Sequence, residues 1–105
     1  MTTSFGVWLD DRTAVLVPFT SGGMGEAEVI RRLASDVETF FDAVLEALRE
    51  AHAVFLFGPG GAKEEFKALL ESEGLGRRLD VVETAGRLSM RQIAARAQAH
   101  FRPFV

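Results

Sequence analysis

The apolar positions of this chain follow two different periods. Ala53-Val54-Phe55-Leu56-Phe57 is an unbroken run of five, rich in β-branched and aromatic residues. A run of that kind predicts a strand buried on both faces. Gly58-Pro59-Gly60-Gly61 ends it, because Pro59 offers no amide and the glycines favour a sharp turn. Phe66, Leu69 and Leu70 then recur at helical spacing. The result is a strand, a glycine turn and a helix, with the remaining elements arranged on either side.

Upstream, Phe5 to Leu9 and Ala14 to Phe19 predict two strands joined as a hairpin by Asp10-Asp11-Arg12-Thr13. Ser21-Gly22-Gly23-Met24-Gly25 is a second turn, and the alternation from Glu26 to Leu33 fits a third antiparallel strand, with a helical turn as the alternative. Ser35 and Glu38 read as a capping box. The helix that it opens places Val37, Phe40, Phe41, Val44, Leu45 and Leu48 on one face and runs to about Glu50. His52 follows as a helix-end or loop residue. Downstream of the central helix, which ends near Gly74-Leu75-Gly76, Leu79 to Thr84 forms a fifth strand. Ser89 and Gln92 make a second capping box, with Met90, Ile93, Ala94, Ala97 and Phe101 facing inward and Pro103 as the stop.

These elements predict an α/β fold in three layers. A five-stranded mixed sheet of order 3-2-1-4-5, its first three strands antiparallel, carries helices on both faces. The order reverses between the first and fourth strands, and ligand crevices form at such a point. The strand ends there carry Asp10, Gly58-Pro59-Gly60 and Glu83-Thr84. Gly58, Gly60, Gly61 and Lys63, with Asp10 and Glu83, are therefore the anion- or ligand-binding candidates, since a glycine turn at a helix N-terminus presents backbone amides. The turn matches neither GxGxxG nor GxxxxGK[ST], so plain helix-on-sheet packing is the readier account of it and the anion site the lesser one.

Composition narrows the classes. At 105 residues, 48% apolar and 26% charged, the chain reads as one globular domain spanning residues 1–105. It has no cysteine, which excludes disulfides and thiolate metal sites, and nine Phe without a Tyr point to packing aromatics. No basic segment leads into an apolar run and no apolar stretch nears ~20 residues, so the expected location is the cytoplasm, with no membrane contact. The net charge of −3 conceals an asymmetry: residues 26–73 hold eleven acidic and five basic side chains, whereas residues 77–102 hold six arginines against Asp80 and Glu83. Arginine suits planar contacts to phosphate, which makes Arg77, Arg78, Arg87 and Arg91 the RNA-binding candidates. An internally paired, solvated face is the alternative.

Gly6-Val7-Trp8-Leu9-Asp10 with Ala14-Val15, Phe57-Gly58-Pro59-Gly60 with Ala62-Lys63, and Val82-Glu83-Thr84-Ala85 with Met90-x-Gln92-Ile93-Ala94-Ala95 carry a family resemblance. They resemble bacterial proteins related to the middle domain of archaeal and eukaryotic peptide-chain release factors and of Pelota. That resemblance implies a ribonuclease H-like sheet and a place in translation or ribosome rescue. Release factors of this family bear a Gly-Gly-Gln tip, on a long loop between the third strand and the first helix, that promotes peptidyl-tRNA hydrolysis. Here the connection is about Ala34-Ser35, and Gly22-Gly23-Met24 lies one strand too early and lacks the glutamine. The hydrolytic role therefore transfers to no residue.

The leading expectation is a non-catalytic, translation- or ribosome-associated module that binds RNA or protein, with no cofactor, no resident metal and no DNA specificity. Two alternatives stand beside it. Asp10, Asp11 and Glu83 at one sheet edge could hold Mg²⁺ in a nuclease, unless the aspartates are turn residues and Glu83 pairs with an arginine. A homodimer or larger scaffold could instead use Phe101, Phe104 and Val105 as its contact.

Overall fold

A computed structural model describes residues 2–33 and 36–101. Six strands and three helices follow one another as β1 (Thr3–Leu9), β2 (Thr13–Thr20), β3 (Gly23–Met24), β4 (Glu28–Arg31), α1 (Val37–Leu48), β5 (Ala51–Gly58), α2 (Ala62–Ser72), β6 (Leu79–Thr84) and α3 (Met90–Phe101). β1 pairs antiparallel with β2, and β5 pairs parallel with both β1 and β6. The outer edge of β2 carries two strands instead of the expected one. β3 pairs with Phe19 and Thr20, and β4 pairs with Thr13 to Leu16. The sheet is thus open and mixed, with the expected order extended by a two-residue ladder.

Alternation along the central strands divides the core in two. Val7, Leu9, Val54 and Leu56 pack beneath α1 and α2 with Phe41, Val44, Phe66 and Leu70. Trp8, Val15, Phe55 and Phe57 point to the other face, where α3 supplies Ile93, Ala97 and Phe101. Because α1 and α2 share one face, α3 is the only helix among the described residues on the second. It docks closely. A Cβ built on Gly6 would lie 2.3 Å from that of Ala97, so β1 has a bare backbone position where the helix crosses.

Several local expectations shift. α1 is capped by Asp36, whose Oδ1 accepts the Thr39 amide at 3.0 Å and whose Oδ2 accepts the Thr39 hydroxyl at 2.6 Å. Ser35 lies outside the described residues, as do Ala34, Arg102, Pro103, Phe104 and Val105. α1 stops at Leu48 and β5 starts at Ala51, so His52 is an exposed strand residue, not a helix end. The second capping box forms as expected. The Ser89 amide donates to Gln92 Oε1 at 2.8 Å, and the Gln92 amide to Ser89 Oγ at 3.1 Å. Met90, however, is 49% exposed, since the face of α3 that packs on the sheet begins at Ile93.

The Asp36 cap carries a pH dependence. Bonds from the Thr39 hydroxyl and then the Thr39 amide hold its carboxyl below the usual carboxylate range. A depressed folded value means that the cap stabilises α1 above the unfolded pKa and is lost as the pH falls through the folded one. Urea unfolding at a series of pH values should show the wild type more stable than Asp36→Ala near neutrality, with the gap closing as the pH falls through the lowered carboxyl pKa. A gap that does not change with pH would contradict the assignment.

Candidate functional site: a crevice at the ends of the parallel strands

β1, β5 and β6 run parallel, and the sheet order reverses between β1 and β5. A crevice of about 560 Å³ opens beside their C-terminal ends, in the place that a doubly wound sheet offers a ligand. Its floor includes Val37 and Phe41 from α1, and its rim carries Asp10, Asp11, Arg32, Gly60, Gly61, Glu65 and Arg87. Five of the eleven lining residues are ionisable, three acidic and two basic, so the crevice is mixed in charge.

The glycine turn is shaped by close approach. A Cβ on Gly58 would stand 2.1 Å from the Leu9 carbonyl oxygen, so only glycine lets β5 pass β1 there. Gly58 also accepts the Ala85 amide at 3.0 Å, which fastens the end of β6 to the same point. Gly60 takes φ +63° and turns the chain into α2. Gly61 caps that helix without a side chain, and its carbonyl accepts the amides of Glu64 and Glu65. Lys63 does not extend into the crevice as a free cation. It is 4% exposed, and its Nζ donates to the Gly60 carbonyl at 2.6 Å. Glu64 and Glu65 meanwhile place carboxylates in the first turn, where they complement the helix dipole from within the chain.

Asp10 is the most constrained carboxylate, at 5% exposure. Its Oδ1 accepts the amides of Arg12 at 2.8 Å and Thr13 at 2.7 Å, and its own amide donates to the Thr13 carbonyl, which closes the β1–β2 turn. Its Oδ2 accepts Arg87 Nη1 at 3.2 Å, joining that turn to the link between β6 and α3. The Arg87 side chain is 79% exposed, so this pair adds little stability and serves to orient the rim. Asp11 is exposed, and its carbonyl accepts Arg32 Nη1 at 3.1 Å. Glu83 lies on the α3 side of β6, paired with Arg96 at 3.2 Å. Among the described residues no group of three His, Cys, Asp or Glu side chains comes together to hold a metal ion. The aspartates are turn residues and Glu83 is an ion-pair partner.

The arginines of the last quarter do not form one surface. Arg77 and Arg78 occupy a short 3-10 turn before β6, whereas Arg87 and Arg91 lie beyond its far end. A six-residue strand separates them by roughly 20 Å. Arg78 is engaged, donating through Nη1 to the carbonyls of Arg49 at 2.7 Å and Ala51 at 2.9 Å. Arg77 and Arg91 are exposed; Arg87 precedes α3 and is not part of it. His100 lies with Nε2 2.7 Å from Asp80 Oδ2 and its ring stacked on Phe55, a structural placement. Arg32, Glu65 and Arg96 were not singled out by sequence. Their roles follow from where β4, α2 and α3 end up, and no local pattern marks them.

No protein-family model and no curated protein matches this sequence. Solved structures do match. Pelota from Thermoplasma acidophilum superposes with a TM-score of 0.71 at 18% identity, over 88% of this chain and 30% of that one. Pelota from Archaeoglobus fulgidus gives 0.71 at 19% identity, over 95% and 31%. The chain resembles the middle domain of the Pelota and release-factor proteins. An archaeal translation termination factor, aRF1, adds to this with a TM-score of 0.59 at 16% identity, over 97% of this chain and 39% of its own. The Pelota-like chain spans about a third of the length of these structures, and at such identities the likeness speaks to the fold. Within the Pelota-like fold, the connection from β4 to α1 is five residues, 32–36. Both glutamines of the sequence, Gln92 and Gln98, lie on α3.

Proposed function

We propose that this chain is a single, non-catalytic, cytoplasmic module that binds the translation machinery, on a sheet of ribonuclease H-like type. The observation that carries this reading is the superposition on Pelota over 88% and 95% of the chain. A non-catalytic role is supported by the fate of the glutamines: the Gln92 amide group is bonded into the α3 cap, and Gln98 sits along the same helix. No helix among the described residues is long and apolar enough to cross a membrane.

In this reading Arg87 and Arg91 contact RNA phosphates beside the start of α3, and Arg77 makes a separate contact at the opposite edge. The glycine turn of Gly58, Gly60 and Gly61, with the buried Lys63 beside it, shapes the crevice on whose rim Arg87 stands. Ribosome co-sedimentation tests the proposal. The chain should pellet with ribosomes at low salt and leave them as salt rises, with a log–log slope of about 0.7–0.9 per phosphate contact. Arg87→Ala with Arg91→Ala should flatten that slope by roughly 1.5, and labelled peptide should not be released from peptidyl-tRNA. Failure to pellet at low salt would refute the binding role; release above a heat-killed control would refute the non-catalytic one.

A further inference from the structure

The edge of the sheet formed by β3 and β4 combines features beyond the crevice, which it meets only at Arg32. Among the described residues the large exposed hydrophobics are Met24, Val29, Leu33 and Met90, and the first three lie on or beside this edge. β4 pairs with β2 on its inner side and with no strand among the described residues on its outer side. The Arg32 amide donates inward to the Arg12 carbonyl. Backbone groups alternate in direction along an antiparallel strand, so those of Glu28 and Ile30 also point inward and those of Val29 and Arg31 point out. An unpaired edge of this kind is a template for another strand.

We propose that this edge pairs with the same edge of a second copy of the chain, antiparallel about a two-fold axis through Val29. Charge selects both the partner and the orientation. Residues 26–32 read Glu-Ala-Glu-Val-Ile-Arg-Arg, acidic at one end, apolar in the middle and basic at the other. A parallel copy would set like charges together. An antiparallel copy sets Glu26 opposite the second copy's Arg32, with Glu28 diagonal to it, and the stem of Arg31 against Ala27. It also places the two exposed Val29 side chains face to face, as cross-strand neighbours. Both constraints, alternation of side chains and outward backbone groups, are met by this register. The two-fold makes the contact self-complementary, so it closes as a dimer instead of extending as a filament. The inference is independent of the ribosome reading.

Sedimentation equilibrium from low micromolar to near-millimolar concentration provides the test. The wild type should approach twice the 11.5 kDa monomer mass as concentration rises. Val29→Lys should remain monomeric with an unchanged circular dichroism spectrum. Glu26→Lys and Arg32→Glu should each dimerise at least tenfold more weakly alone, and mixing them should restore association. A wild type that stays monomeric throughout overturns the proposal. So does a dimer that survives all three substitutions, since it would use another face.

Discussion

Replacing Phe57 with alanine should cost about 3–5 kcal/mol, among the largest effects available in a core of this size. Phe57 is fully buried near the end of β5, between the ladders to β1 and β6. Its ring stacks on Phe55 with centroids 4.7 Å apart and shares the α3-side core with Trp8 and Ile93. Removing it leaves a void that strands fixed on both sides cannot close. Urea unfolding should show a lower midpoint with an unchanged slope. A shift worth less than about 1 kcal/mol would mean that α3 had settled into the gap, and that its seat is softer than the Gly6–Ala97 contact implies.

Gly58→Ala should be comparably damaging through the opposite mechanism, overpacking, at about 3 kcal/mol or more. The atom in the way of the new methyl is the Leu9 carbonyl oxygen, which belongs to the backbone of a neighbouring strand. Relief requires separating β5 from β1, and Gly58 is also tied to Ala85. Gly60→Ala is the matched control. Nothing lies within 4 Å of its Cβ position, so only the left-handed backbone is strained, at about 1–2 kcal/mol. Equal midpoints for the two variants would show that β5 can shift, and that the glycine turn is not fixed by its approach to β1.

The sequence made the large elements legible because their signals were redundant. The β5 run was marked by burial on both faces, by β-branched and aromatic content and by a glycine stop. The α3 start was marked by both partners of the Ser89–Gln92 box. The α1 cap differs from the expected Ser35 box for a physical reason: Ser35 and Asp36 are adjacent and both residue types cap well, and a Ser35 cap would answer the Glu38 amide, whereas Asp36 answers that of Thr39. β3 escaped because two residues carry no periodicity. The site was harder still. Asp10, Lys63 and Arg78 look like available charges in a linear reading, yet each is committed to backbone groups that only the folded chain assembles. Lys63 binds a carbonyl in its own turn, whereas Arg78 reaches carbonyls 27 and 29 residues away. Glu83 is committed differently, to the Arg96 side chain on the α3 side of β6.

The strand β5 gives alternate side chains to two different cores. Val54 and Leu56 belong to the layer under α1 and α2; Phe55 and Phe57 belong to the layer under α3. One backbone is therefore the wall of both compartments. Detaching α3 would strip one face of β1, β2 and β5 while leaving the other packed, and losing α1 with α2 would do the reverse. Either half-state would hold strands in register with half of their apolar contacts gone. The two layers are thus thermodynamically inseparable, and the fold rises or falls as one cooperative unit, whatever surface it presents to its partners.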